Sequence, residues 1–100
     1  MSKGGYIYII TNKNRTVLYT GVTSHLQSRI YQHKQGEGSS FANKYNCEDL
    51  IYYEFFEDIE TAIAREKQIK KWKRAYKENV INERNPEWKD LYDDVQDYNR

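Results

Sequence analysis

Several side chains with reactive or charged groups stand where a folding chain normally puts apolar ones. In AIAREKQIKKWKRAY, residues 62–76, a helical period of about 100° per residue gathers Ile59, Ala62, Ile63, Ile69, Trp72 and Tyr76 on one side. Glu66 projects into the middle of that side, while Arg65, Lys67, Lys70, Lys71, Lys73, Arg74 and Lys77 occupy the opposite face. A carboxylate facing inward must be neutralised, paired or bound to a cation. The stretch from about His25 to Gln35 repeats the pattern. Leu26 and Ile30 form its apolar side, and Arg29 and His33, one turn apart, share that side. Each group alone has an ordinary explanation: a buried ion pair for Glu66, a snorkelling stem for Arg29, a satisfied core histidine for His33. Together with inward-capable tyrosines on neighbouring strands, they converge on one sheet as a site would.

The chemistry these types support is phosphoryl transfer. Arginine carries a permanent charge and a planar fork that matches phosphate oxygens. Glutamate anchors a hard divalent cation, which keeps waters and takes phosphate oxygens as further ligands. A tyrosine or histidine can take a proton from an attacking water. No second carboxylate stands at helical or strand spacing to Glu66, which favours a one-metal over a two-metal site. Nothing matches a phosphate-binding glycine loop, a Ser-His-Asp order or a zinc pattern. The single cysteine, Cys47, excludes an internal disulfide and a cysteine zinc cluster and reads as a bystander. His25, alone near a helix start, reads as a surface residue.

The elements that must position these groups can be read from pattern. Tyr6 to Ile10 is strand-like, Asn12 to Arg15 a turn, and residues 16–21 a second strand, giving an antiparallel hairpin. Alternation puts Tyr6, Tyr8 and Ile10 on one face of the first strand, and Val17, Tyr19 and Gly21 on one face of the second. Thr23 or Ser24 can cap the helix that follows, and GEGSS ends it. Residues 41–46 are a short irregular or helical piece, and 50–57 a third strand. Asp58 can cap the helix carrying Glu66, which bends near Arg74 into another reaching Asn82. Pro86 is expected to start a last short helix through Trp88, Leu91, Tyr92 and Val95. The order β-β-α-β-α-α predicts an α/β (α+β) fold: a small three-stranded, largely antiparallel sheet flanked by helices. One hundred residues suit one modest core. We divide them into a domain over 1–85 and an acidic helical extension over 86–100, packed on or following it.

Net charge is +1, but it is unevenly spread: +4 over residues 1–86 and −3 over 87–100. The stretch 65–77 holds seven basic residues and one acid. A positive face suits a phosphate-bearing partner, although a lysine-rich solvated face is common. Ten tyrosines exceed what this core needs and suit a wet interface. There is no signal-peptide pattern and no run long and apolar enough to span a bilayer, so a cytoplasmic protein without membrane attachment is expected.

The residues quoted so far resemble the GIY-YIG nuclease superfamily. Its first motif appears as Tyr6-Ile7-Tyr8 and its second as Tyr19-Thr20-Gly21. LYTGVTSHLQSRIYQH continues in register, with Arg29 at the family's arginine and His33 one turn later; EKQIKKWKR supplies Glu66 at its metal-binding glutamate. The resemblance spans residues 6–92, and the ending NPEWKDLY is similar to that of the small single-domain bacterial members. Two positions depart from the motif: Tyr6 replaces its first glycine, and Thr20 its central isoleucine. The resemblance implies a one-metal DNA endonuclease with Mg²⁺ (or Mn²⁺) on Glu66. Tyr8, as a tyrosinate helped by His33, would activate water. Arg29 would stabilise transition-state charge and Tyr19 would orient phosphate or water. Several members use an asparagine after the glutamate, for which Asn79, Asn82 and Asn85 are all candidates.

The expected partner is DNA, structured or branched forms included, held with low sequence specificity by Arg15, Lys44, Lys67, Lys70, Lys71, Lys73 and Arg74. A role in repair or recombination and a targeting protein partner fit this reading, and the oligomeric state stays open. The alternatives are a nucleic-acid-binding module that no longer cuts, and a protein-interaction domain whose acidic tail, WKDLYDDVQDY, binds a basic partner or folds back over the positive face.

Overall fold

The computed structural model describes residues 4–95. Three strands, β1 (Gly5–Thr11), β2 (Leu18–Thr23) and β3 (Asp49–Phe56), form an antiparallel sheet in the order β2-β1-β3. The helices are α1 (Leu26–Lys34), the single-turn α2 (Ser40–Lys44), α3 (Ile59–Lys70) and α4 (Arg74–Arg84), followed by a 3₁₀ turn at Tyr92–Val95. The α+β order is the one the sequence predicts, with α2 added as a short helix.

β1 is central, and helices cover the sheet on both sides. Ile7, Ile9 and Ile10 are therefore fully buried, which explains a nearly continuous apolar run in place of alternation. Each contributes roughly 1.5–3 kcal/mol by leaving water. Ile7, Ile9, Ile51 and Tyr52 face α3 and α4, where Ala62, Ile69 and Ile81 close the first core. Tyr8, Ile10 and Leu50 face α1 and α2, where Leu26, Ile30, Ala42 and Cys47 close the second. A register shift between Ile9 and Ile10 leaves Ile51 as an extra residue in β3, so adjacent Ile51 and Tyr52 serve the same core while Leu50 serves the other.

Four local expectations need correction. β2 starts at Leu18, not at residue 16, because the Asn12 carboxamide oxygen accepts from the backbone N–H groups of Thr16 and Val17 and folds them into the turn. Neither Thr23 nor Ser24 caps α1. Thr23 Oγ1 accepts from the His25 N–H, just outside the helix, and His25 holds the cap position with no side-chain bond. The apolar side of residues 59–76 is narrower than its pattern. Ala62, Glu66 and Ile69 are buried, while Ile63 is exposed and Tyr76, beyond the break between α3 and α4, is 59% exposed. Pro86 starts no helix, because Asn85 ties the chain into a turn. Its Nδ2 donates to the carbonyls of Ile51 and Lys89, its Oδ1 accepts from Lys89 N–H, and Trp88 sits at φ +54°. Asp58 does cap α3, accepting from Thr61 N–H at 2.8 Å.

The described part of the acidic segment, through Val95, lies on the α1 side of the sheet and not over residues 65–77. Leu91 N–H donates to Leu50 O, Asp90 accepts from Leu50 N–H, and Lys34 Nζ pairs with Asp90 at 2.6 Å. Leu91, Tyr92 and Val95 pack on the second core. Gln96 to Arg100, the last part of that tail, fall outside the described residues.

Candidate active site

Tyr8 and Gly21 are direct cross-strand partners on the face that α1 covers. A Cβ at Gly21 would stand 2.4 Å from Tyr8 Cζ and Oη, so only glycine lets the phenol lie across β2. The Tyr8 hydroxyl meets His33 Nε2 at 2.9 Å, 25 residues along the chain. Tyr19, two positions before Gly21 and so on the same face, packs its ring on both. Its centroid is 6.5 Å from that of Tyr8 and 5.7 Å from that of His33. Arg29 is half-buried one turn before His33 in α1. On the other side of His33, the chain passes so close at Gly38 that a Cβ there would stand 2.2 Å from Nδ1.

Both members of the Tyr8–His33 pair are neutral at ordinary pH. Burial, with the nearby Tyr19 phenol, pushes the Tyr8 hydroxyl up to about 12, against the opposing pull of Arg29. Burial and the Arg29 charge push His33 down to about 4. Burial thus favours the phenol form of Tyr8 over a tyrosinate. When its O–H donates to Nε2, the imidazole proton lies on Nδ1, which is buried without a hydrogen-bond partner. The arrangement can relay a proton: the phenol oxygen takes one from a reacting water while passing its own to Nε2.

Glu66 enters from α3. It is 8% exposed, and its charge adds to the rise of the Tyr8 pKa, so the carboxylate lies within electrostatic reach of the phenol. Its oxygen pairs with Lys70 Nζ at 2.6 Å, one turn along. Among the described residues no three His, Cys, Asp or Glu side chains gather as a metal cluster. One carboxylate at the edge of solvent fits a hard divalent ion that draws its remaining ligands from water and phosphate, and fits no caged ion.

The predicted cations separate into two groups. Arg15 spends its guanidinium on Asp49 and on the Trp88 carbonyl, and Arg74 on Glu78 and the carbonyls of Thr16 and Arg15. Lys70 is paired with Glu66. Lys44 stands over the Tyr45 ring. Lys67, Lys71 and Lys73 are exposed, with no ion-pair partner among the described residues. Arg65 does not belong to the solvated face: it binds Glu54 through Nε and Nη2 at 2.9 and 3.0 Å and lies over Trp72. Of the asparagines, Asn85 is consumed by backbone and Asn82 accepts from Trp88 Nε1; Asn79 is exposed. Cys47 is buried, and burial raises its thiol pKa, as suits a bystander.

Sequence reasoning missed Gly38 behind His33, Phe41 stacked on Tyr19, Lys70 on Glu66, and the Glu54–Arg65 pair. Only the Lys70 spacing, four residues from Glu66, was a readable signal.

Residues 4–79 match the GIY-YIG catalytic domain. The chain is 32% identical over 81 residues to a UPF0213 protein of Natronomonas pharaonis, covering 81% of this chain and 94% of that one. It is 39% identical over 77 residues to a UPF0213 protein of Clostridium perfringens, covering 77% and 82%. The solution NMR structure of a UPF0213 protein from Bacillus halodurans superposes with a TM-score of 0.56 at 25% identity, covering 88% of this chain and 93% of that one.

Proposed function

The chain belongs to the GIY-YIG family, and from that premise we propose that it is a metal-dependent endonuclease that hydrolyses DNA phosphodiester bonds. The observation that carries the reading is the Tyr8–His33 hydrogen bond with Tyr19 packed on both rings and Arg29 one turn from His33. Two buried neutral groups bonded in series are suited to moving a proton, and a guanidinium beside them to an anion. Tyr8 accepts the proton of the attacking water as His33 Nε2 accepts that of Tyr8. Arg29 stabilises the charge gathering on the phosphorus oxygens. Tyr19 orients the phosphate. Glu66, released from Lys70, would hold Mg²⁺ or Mn²⁺, which would supply charge stabilisation for the phosphate and leaving group. Lys44, Lys67, Lys71 and Lys73 bind phosphates with low sequence specificity. Repair or recombination on structured DNA, a targeting partner and a cytoplasmic setting extend the same reading.

A non-cutting nucleic-acid-binding module is the second reading. Lys70 favours it, because an ion pair already accounts for the inward Glu66 without any metal. The test is incubation of the protein with single-stranded, duplex and branched DNA in Mg²⁺ or EDTA, beside Arg29→Ala and Glu66→Ala. Metal-dependent cutting lost in both variants is expected. Absence of cutting by every form, with binding unchanged in Glu66→Ala, would establish the binding module instead.

A further inference from the structure

An aromatic row leads away from the candidate site and is not used by the proposed chemistry. Tyr19 stacks with Phe41 at 6.1 Å and an interplanar angle of 26°, and Phe41 meets Tyr45 at 4.8 Å. Phe41 is 48% exposed and Tyr45 39% exposed. Both belong to α2 and its C-terminal cap, where Ala42 faces the core and the i, i+4 pair Phe41 and Tyr45 is left outward. Lys44 Nζ lies 5.4 Å from the Tyr45 centroid, adding a cation to the row. Apart from the Lys44 ammonium over Tyr45, both rings are left open to solvent, and burying them would be the normal outcome if packing were their purpose.

We propose that Phe41 and Tyr45 form a stacking subsite for an unpaired nucleobase adjoining the phosphate held by Arg29. The proposal rests on the nuclease reading of the site and names its substrate class: nucleic acid with a single-stranded or splayed nucleotide beside the cut. Three observations favour a base over other occupants. The row begins on Tyr19, whose ring contacts both Tyr8 and His33, so an occupant lies next to the reacting phosphate. Rings in series accept any base through its π-face. Lys44 supplies a backbone contact at the outer end. A base-paired nucleotide presents only its edges and cannot enter between exposed rings, so duplex should pass this subsite unread.

The test measures binding in EDTA, without cutting, of a single-stranded oligonucleotide carrying 2-aminopurine and of the same sequence as blunt duplex. Phe41→Ala and Tyr45→Ala should each weaken single-strand binding about tenfold, within the range for loss of one base–ring stack, and duplex binding less than about twofold. The 2-aminopurine fluorescence should be quenched by the wild type and recover in both variants. Phe41→Leu, which keeps an apolar side chain against Tyr19, guards against loss of folding and should also fail to quench. Equal weakening for single strand and duplex, or unchanged quenching in the variants, overturns the subsite even if Mg²⁺-dependent cutting is found. Ring-dependent quenching in a protein that never cuts sustains the subsite and removes the nuclease. Unaltered nucleic-acid binding in all variants would also overturn the proposal.

Discussion

His33 should make folding stability depend on pH in a window where few other groups titrate. Its imidazole is 3% exposed and held near 4, against about 6.5 in an unfolded chain. Between these values the unfolded chain binds a proton that the folded one refuses, so stability rises with pH across the window. It is fully present above about pH 6.5 and is lost as pH falls towards 4. At about 1.4 kcal/mol per pH unit, the loss over that span is roughly 3 kcal/mol, a large share of the stability of a domain this size. His33→Gln removes the titration while keeping a partner for the Tyr8 hydroxyl. Urea unfolding of both proteins from about pH 7 to pH 4.5 should give curves that converge and then cross. Wild type should be more stable by about 1 kcal/mol at neutrality, the worth of the better hydrogen bond. The variant should be more stable at the acid end. Glu54 and Asp58, whose carboxyls are held below their usual values, lose their contribution at lower pH in both proteins and cancel in the difference. Parallel curves over the whole window would refute the claim that burial keeps His33 neutral, and with it the proton relay from Tyr8.

Two further outcomes follow from the packing. Gly21→Ala places a methyl against the Tyr8 ring and hydroxyl, so it should cost about 1–3 kcal/mol by chemical denaturation and abolish cutting, while DNA binding through the exposed lysines persists. Glu54→Gln leaves the Arg65 guanidinium facing a neutral amide. Because the pair is partly open to water, the expected loss is roughly 2–4 kcal/mol, at or below the figure for a fully buried pair, measured as a fall in urea midpoint.

What the sequence made legible was what local geometry decides. The period of three to four residues that sets Arg29 above His33, and the alternation that sets Tyr6, Tyr8 and Ile10 on one face, need only the helix and strand repeats, and both survive in the structure. The start of β2 was lost to one Asn12 side chain, and the last helix to Asn85. In each case a carboxamide satisfies backbone groups that a propensity argument assigns to an element. Arg65 was misplaced for a different reason. Helical periodicity cannot see Glu54, which lies at the rim of the facing sheet and draws the guanidinium inward.

Glu54 also changes the meaning of the inward Glu66. Two glutamates, 9% and 8% exposed, stand on the same side of the sheet, and each is met by a cation from α3: Glu54 by Arg65, Glu66 by Lys70. The pairs are not equivalent. Arg65 is held in a bidentate fork, stacked on Trp72, and bonded to Gln68, so removing it would strand a nearly buried charge. Lys70 touches Glu66 through one ammonium on a flexible stem whose side chain is 51% exposed, so the lysine itself returns readily to water, but its departure leaves the nearly buried Glu66 carboxylate in need of another cation. The Arg65 pair joins buried Ala62 and Ile69 in setting the rotation of α3, the rotation at which the next residue, Glu66, is buried. On the proposed nuclease reading, a divalent cation would take the place of Lys70 on Glu66. A carboxylate held in place by its neighbour's ion pair, yet only loosely paired itself, is what an exchangeable metal ligand requires.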